Sequence, residues 1–95
     1  MTDETKIVFI GRKPAMSYVL AIITSLSASN AKEITLKARG QAITTAVDVA
    51  EIARNRFLKD LTVSKIAIGT EEMPPREGEN SSRMVSTMEI TLAKP

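Results

Sequence analysis

Cations set close together are the residues of this chain whose types and spacing could do chemistry, and that chemistry is the holding of phosphate. Arg12 and Lys13 are adjacent, Lys37 and Arg39 stand two apart, Arg54 and Arg56 repeat that spacing, and Arg76 and Arg83 follow. Guanidinium groups grip phosphate oxygens with forked hydrogen bonds and ammonium groups hold them as point charges. No rival reactive set is visible. The 95 residues contain no His and no Cys, which removes the usual general base, the commonest metal ligand, thiolate metal sites, disulfides and every His- or Cys-based hydrolytic triad. Asp48 and Glu51 stand three apart without a third ligand type, so they read as a solvated helix face rather than paired catalytic carboxylates. The expectation is a chain with no metal, no cofactor and no catalytic residue.

The stretch 37–57 shows how such cations are positioned. Alternation along Ile34-Thr35-Leu36-Lys37-Ala38-Arg39 sends Ile34, Leu36 and Ala38 to one face of a strand and Lys37 and Arg39 to the other. Gly40 lets the backbone turn. From Gln41 to about residue 58 the apolar residues Ile43, Ala46, Val47, Ala50, Ala53 and Phe57 recur at three and four, the period of a helix with one buried face. Arg54 and Arg56 lie near its far end, where cations also favour a helix C-terminus. Arg54 has Glu51 three residues earlier as an ion-pair partner, whereas Arg56 has none nearby in sequence. Any one of these side chains is explained well enough as a solvated surface charge; several in one fold unit point to a surface that binds.

Length suits one domain over 5–95, with residues 1–4 as a flexible N-terminus. The acidic, polar start fits neither a signal peptide nor a span of about 20 apolar residues, so a soluble intracellular chain without membrane contact is expected. Net charge is only +2, but residues 5–70 carry ten Lys or Arg against four Asp or Glu, while residues 71–95 carry three against five. A basic body is the footprint of a nucleic-acid binder. One Tyr, two Phe and no Trp leave little for stacking on unpaired bases, which favours contacts to a duplex backbone.

In chain order, the β-branched and aromatic run Lys6-Ile7-Val8-Phe9-Ile10 reads as a strand buried on both faces. The turn Gly11-Arg12-Lys13-Pro14 puts two cations beside a helix N-terminus, with Pro14 suited to the first helical position. Met16, Val19, Leu20, Ile23 and Leu26 give that helix its apolar spacing before the polar residues 27–30 end it. Residues 32–39 form the second strand and 41–58 the second helix. A third strand spans 62–70, with Val63, Ile66 and Ile68. A long fourth strand alternates Met84, Ser86, Met88, Ile90 and Leu92 with Arg83, Thr87, Glu89 and Thr91. Between them, residues 71–83 hold paired prolines, Arg76 and Arg83 among four acids, and form the tip of a projecting hairpin arm. The expected fold is an α/β two-layer sandwich, β1-α1-β2-α2-β3-β4. It has a four-stranded mixed sheet, both helices on one face and the other face open. The wealth of Met, Ile and Val leaves apolar surface that a symmetric dimer would cover.

From residue 7 to residue 92 the sequence resembles the Alba family of small basic archaeal chromatin proteins. The blocks that carry the resemblance are Gly11-Arg12-Lys13-Pro14 with Met16 and Tyr18-Val19-Leu20, Lys37-Ala38-Arg39-Gly40-Gln41-Ala42-Ile43, Ala46-Val47-Asp48 leading to Arg54-Asn55-Arg56-Phe57-Leu58, and Arg83 with Val85-Ser86-Thr87-Met88-Glu89-Ile90. It implies a homodimer, or a heterodimer with a paralogue, that binds double-stranded DNA and RNA with little sequence preference and catalyses nothing. It also implies a cytoplasmic location on the chromosome. Carried over by position, Arg12 and Lys13 become the central phosphate contacts, Lys37 and Arg39 their neighbours, Arg83 an arm contact, and Phe57 the residue through which dimers meet side by side. Arg56 and Arg76 complete the nucleic-acid-binding set.

Three departures from the family pattern stand out. The first turn cation is Arg12 where a lysine open to acetylation is usual, which leaves Lys13 as the modifiable residue. Gln41 stands where many members carry a second arginine. Glu71, Glu72, Glu77 and Glu79 oppose entry of the arm into a groove of phosphates. Two other readings remain open from sequence: a ribonucleoprotein component that binds RNA, and a protein–protein adaptor that docks a partner through its apolar sheet face or acidic arm.

Overall fold

The structure, a computed structural model, describes residues 5–28 and 31–95. The expected flexible segment 1–4 and the end of the polar segment 27–30 lie outside the described residues. The elements run β1 (Thr5–Phe9), α1 (Ala15–Ala28), β2 (Glu33–Arg39), α2 (Ala42–Ile52), a π-helical turn (Ala53–Phe57), β3 (Thr62–Met73) and β4 (Arg83–Ala93). The strands form one mixed sheet in the order β1-β2-β4-β3, with β1 parallel to β2 and the other pairs antiparallel. This is the expected two-layer architecture.

The core follows from the strand pleat. Ile34, Leu36 and Ala38 of β2 and Ile90 and Leu92 of β4 are buried, and they meet Val19, Ile22 and Leu26 of α1 and Ala46, Val49 and Ala50 of α2. Lys37 and Arg39 emerge on the opposite, open face, as the alternation requires. There Thr35 and Thr91 share a hydroxyl hydrogen bond of 2.9 Å across the β2–β4 pair.

Several faces differ from expectation. β1 is buried on one face only: Phe9 is 74 % and Ile7 49 % exposed, because β1 is an edge strand and its odd-numbered residues point to the side without helices. Helix α1 buries Tyr18 and Ile22 together with Val19 and Leu26, leaving Met16 and Leu20 exposed and Ile23 half-buried. A helix this rich in apolar residues has no sharp stripe to fix its rotation. In α2, Val49 replaces the expected Val47 in the core, and Val47 and Phe57 are exposed. The second helix also does not run uniformly to its end. A wider turn closes it, in which the Leu58 N–H donates to the Ala53 carbonyl at 2.8 Å, five residues back.

The arm is a continuous ladder. β3 extends past residue 70 to Met73, which pairs with Arg83, so the unpaired tip is residues 74–82. On the helix side of the sheet Ile66, Ile68 and Met84 stand 58 %, 79 % and 68 % exposed, beyond the reach of α1 and α2.

Candidate nucleic-acid interface

The dibasic turn is held from beneath. Tyr18, buried in the first turns of α1, presents its phenol oxygen to the backbone N–H groups of Gly11 at 2.8 Å and Lys13 at 3.1 Å. One oxygen thus accepts from both ends of the tripeptide 11–13 and leaves the Arg12 and Lys13 side chains exposed above it. The turn is also fixed to the sheet, since the Ile10 N–H donates to the Lys37 carbonyl at 2.8 Å.

Gly40 links the second cationic site to α2. It adopts φ of +58°, a conformation that side chains disfavour, and its N–H donates to the Ser86 carbonyl while its carbonyl accepts from Ile43. The chain therefore reverses within two residues of Arg39, and the N-terminus of α2 comes to lie beside the turn and the arm.

Between these elements runs an open groove of about 1010 Å³ whose lining includes Arg12, Arg39, Gln41, Thr45, Arg76 and Arg83. Four arginines from the turn, β2, the arm tip and β4 converge there, though they are separated in sequence by up to 71 positions. The Nε of Arg83 is buried and has no hydrogen-bond acceptor among the described residues. Gln41 and Thr45 add neutral polar groups at the helix start.

Other expected residues lie apart from this groove. Lys13 is exposed on the turn itself. Lys37 points into a neighbouring pocket on the open sheet face, beside Glu89 at 3.8 Å. Arg56 and Phe57 are exposed at the far end of the second helix, about 20 Å from Ala42 by helical rise. They belong to a separate surface. Arg54 is occupied by Glu51 and by the Leu61 carbonyl.

The arm's acids have structural partners. Glu71 reaches across β4 to the Arg39 guanidinium at 2.6 Å, Glu72 accepts from the Ser82 hydroxyl, and Glu79 accepts the Arg76 N–H. Arg39 is therefore partly neutralised, whereas no ion pair is found for Arg12, Arg76 or Arg83 among the described residues. Sequence reading missed Tyr18 as the clasp of the turn and Glu71 as the partner of Arg39. Neither pairing leaves a local spacing signal, the second joining residues 32 positions apart.

A family model described as Alba matches residues 6–70. This chain belongs to the Alba family. The DNA/RNA-binding protein Alba of Methanocella arvoryzae is 48 % identical over 92 residues, covering 97 % of this chain and 93 % of that protein. DNA/RNA-binding protein Alba 1 of Archaeoglobus fulgidus is 52 % identical over 87 residues, covering 92 % and 93 %. The solved structure of Alba from Thermoplasma volcanium superposes with a TM-score of 0.84 at 46 % identity, over 94 % of this chain and all of that one. Alba is a non-enzymatic family. Among the described residues no group of three His, Cys, Asp or Glu could hold a metal, and no helix is long and apolar enough to cross a membrane.

The clasp predicts a measurable effect. Tyr18→Phe removes one acceptor shared by two backbone donors and lowers unfolding free energy by about 1–2 kcal/mol, read by denaturant titration. Amide exchange at Gly11 and Lys13 should speed up by more than that at core Val49, which follows only the global loss of stability; exchange at the turn that rises no more than at Val49 would refute the clasp.

Proposed function

We propose that this chain is a dimeric protein that coats duplex DNA through phosphate contacts with little sequence preference, and binds RNA by the same surface. The convergence of Arg12, Arg39, Arg76 and Arg83 on one groove carries this reading, with Lys13 exposed next to Arg12 on the turn and Lys37 on the adjoining face. Phosphates along a backbone are repeated anions, and forked guanidinium donors on a turn and an arm match several of them at once. The relatives named DNA/RNA-binding proteins support the ligand class.

The dimer rests on a different observation. Ile66, Ile68 and Met84 leave the helix side of the arm with an exposed apolar patch, the kind of surface that favours a covering partner. A second copy of the same patch covers it, and the two basic grooves then act together along one duplex. This patch is also what an adaptor would use; the arginine groove has no place in that reading. Phe57, exposed at the far end of the second helix, is the residue through which neighbouring dimers meet, Arg56 beside it is a further phosphate contact, and Lys13 is the residue open to acetylation. Chromosomal association in the cytoplasm follows from the ligand.

Three outcomes test the proposal. Fluorescence anisotropy on a DNA duplex should show log affinity falling against log salt with a slope of roughly −5, as expected when about six phosphates are neutralised. Arg12→Glu with Lys13→Glu should weaken binding by at least about 100-fold without unfolding the chain, since both side chains are exposed. Equal affinity in the folded double variant would place the interface elsewhere. For the dimer, the parent should sediment at about twice 10.3 kDa, and Ile68→Lys as a folded monomer. A parent that sediments as a monomer would remove the dimer.

A further inference from the structure

Beside the arginine groove, on the open sheet face, lies a second pocket of about 390 Å³, within the usual size range of small-ligand sites. Its floor and walls include Phe9, Lys37, Arg39, Glu71, Thr87 and Glu89. Its character differs from that of the groove. Lys37 faces Glu89 and Arg39 faces Glu71, so the pocket carries as many carboxylates as cations and is a poor place for a phosphate. It instead offers donors, acceptors and one large aromatic ring at a single level of the sheet. Phe9 lies in register with Lys37 on β1 and β2, and its ring is 74 % exposed. A ring left that bare on an edge strand forgoes most of its burial free energy.

We infer that this pocket seats an unpaired nucleobase of a single-stranded nucleic acid, stacked on Phe9. The inference rests on the nucleic-acid reading above and extends it to a ligand that the arginine groove does not by itself select. A base needs an aromatic face and a balanced set of hydrogen-bonding groups rather than net charge, and the pocket supplies both. Ile10 and Arg39 line the pocket and the groove alike. A nucleotide whose phosphate lies among Arg12, Arg39 and Arg83 can therefore place its base over Phe9 without leaving that phosphate. In a duplex the base is stacked and paired, and the ring goes unused. The scarcity of aromatic residues in the chain is no obstacle, because the fold sets one of the two phenylalanines beside the cations.

The test compares single-stranded octacytidine, as RNA and as DNA, with a DNA duplex. Cytosine is chosen because its amino group can donate to the carboxylates of Glu71 and Glu89. Phe9→Ala should weaken binding to the octamer by at least about fivefold, the lower end of what losing one stacking partner does, while duplex affinity is unchanged. The ring's exposure means that the variant should fold, which circular dichroism checks. Phe9→Trp should keep octamer affinity and, in a chain with no other Trp, give an indole signal that the octamer quenches. The RNA and DNA octamers show which strand is preferred, and loss on either supports the pocket. Octamer binding unaffected by Phe9→Ala, equal loss on octamer and duplex, or an unquenched indole would each overturn it. A parent chain that binds neither octamer nor duplex would overturn the proposed function, and this inference with it.

Discussion

Two helices can cover only part of a four-stranded sheet, and the working surfaces of this protein are what they leave bare. Fourteen residues of α1 span about 21 Å, whereas the twelve of β3 reach about 40 Å. Both helices pack on the β1–β2–β4 side, and β3 is held chiefly by its ladder with β4. The hairpin must then project, and the molecule measures 47 × 29 × 19 Å. From that one mismatch of lengths follow an arm, an apolar patch on the arm's helix side and an uncovered sheet face behind it. The groove lies where arm, turn and the start of α2 meet.

Charge on these surfaces is arranged by strand register. Residues in register on neighbouring strands share a face, so Lys37 meets Glu89 directly and Arg39 meets Glu71 across β4. Exposed pairs of this kind add little to stability, typically under about 1 kcal/mol. Their larger effect is on what the surface attracts: they quiet the open face and leave the groove as the more strongly positive region. The acids of the arm thus sharpen a boundary between two adjoining sites instead of cancelling the basic character of the whole domain. The Tyr18 clasp works on the same problem from the other side, holding two exposed cations in a fixed place where an untethered turn would let them scatter.

Much of this was legible in the sequence. Strict alternation in 34–39 assigned Lys37 and Arg39 to the solvated face, and the order of elements gave the two-layer fold, because both are local patterns. The side of a strand or helix that becomes buried is not local. Phe9 looked like core until its strand proved to be an edge with helices on one side only, and Leu20 and Val47 fitted a helical period as well as Ile22 and Val49 did. The groove was half visible: each cation could be named, but the meeting of Arg12 with Arg76 and Arg83 depends on the β3–β4 ladder, and the separation of Arg56 from them on the length of α2. Glu71 read as a charge opposed to binding; register makes it the partner of Arg39.

Duplex nucleic acid, on the function proposed above, lies in the arginine groove. Titrating isotopically labelled protein with a short DNA duplex and following backbone amide resonances tests it most directly. Shifts should concentrate at Gly11, Arg12, Gln41, Thr45, Arg76 and Arg83, with Asp48 and Glu51 on the exposed flank of α2 unmoved. Shifts centred on α2, with the turn and arm silent, would contradict it.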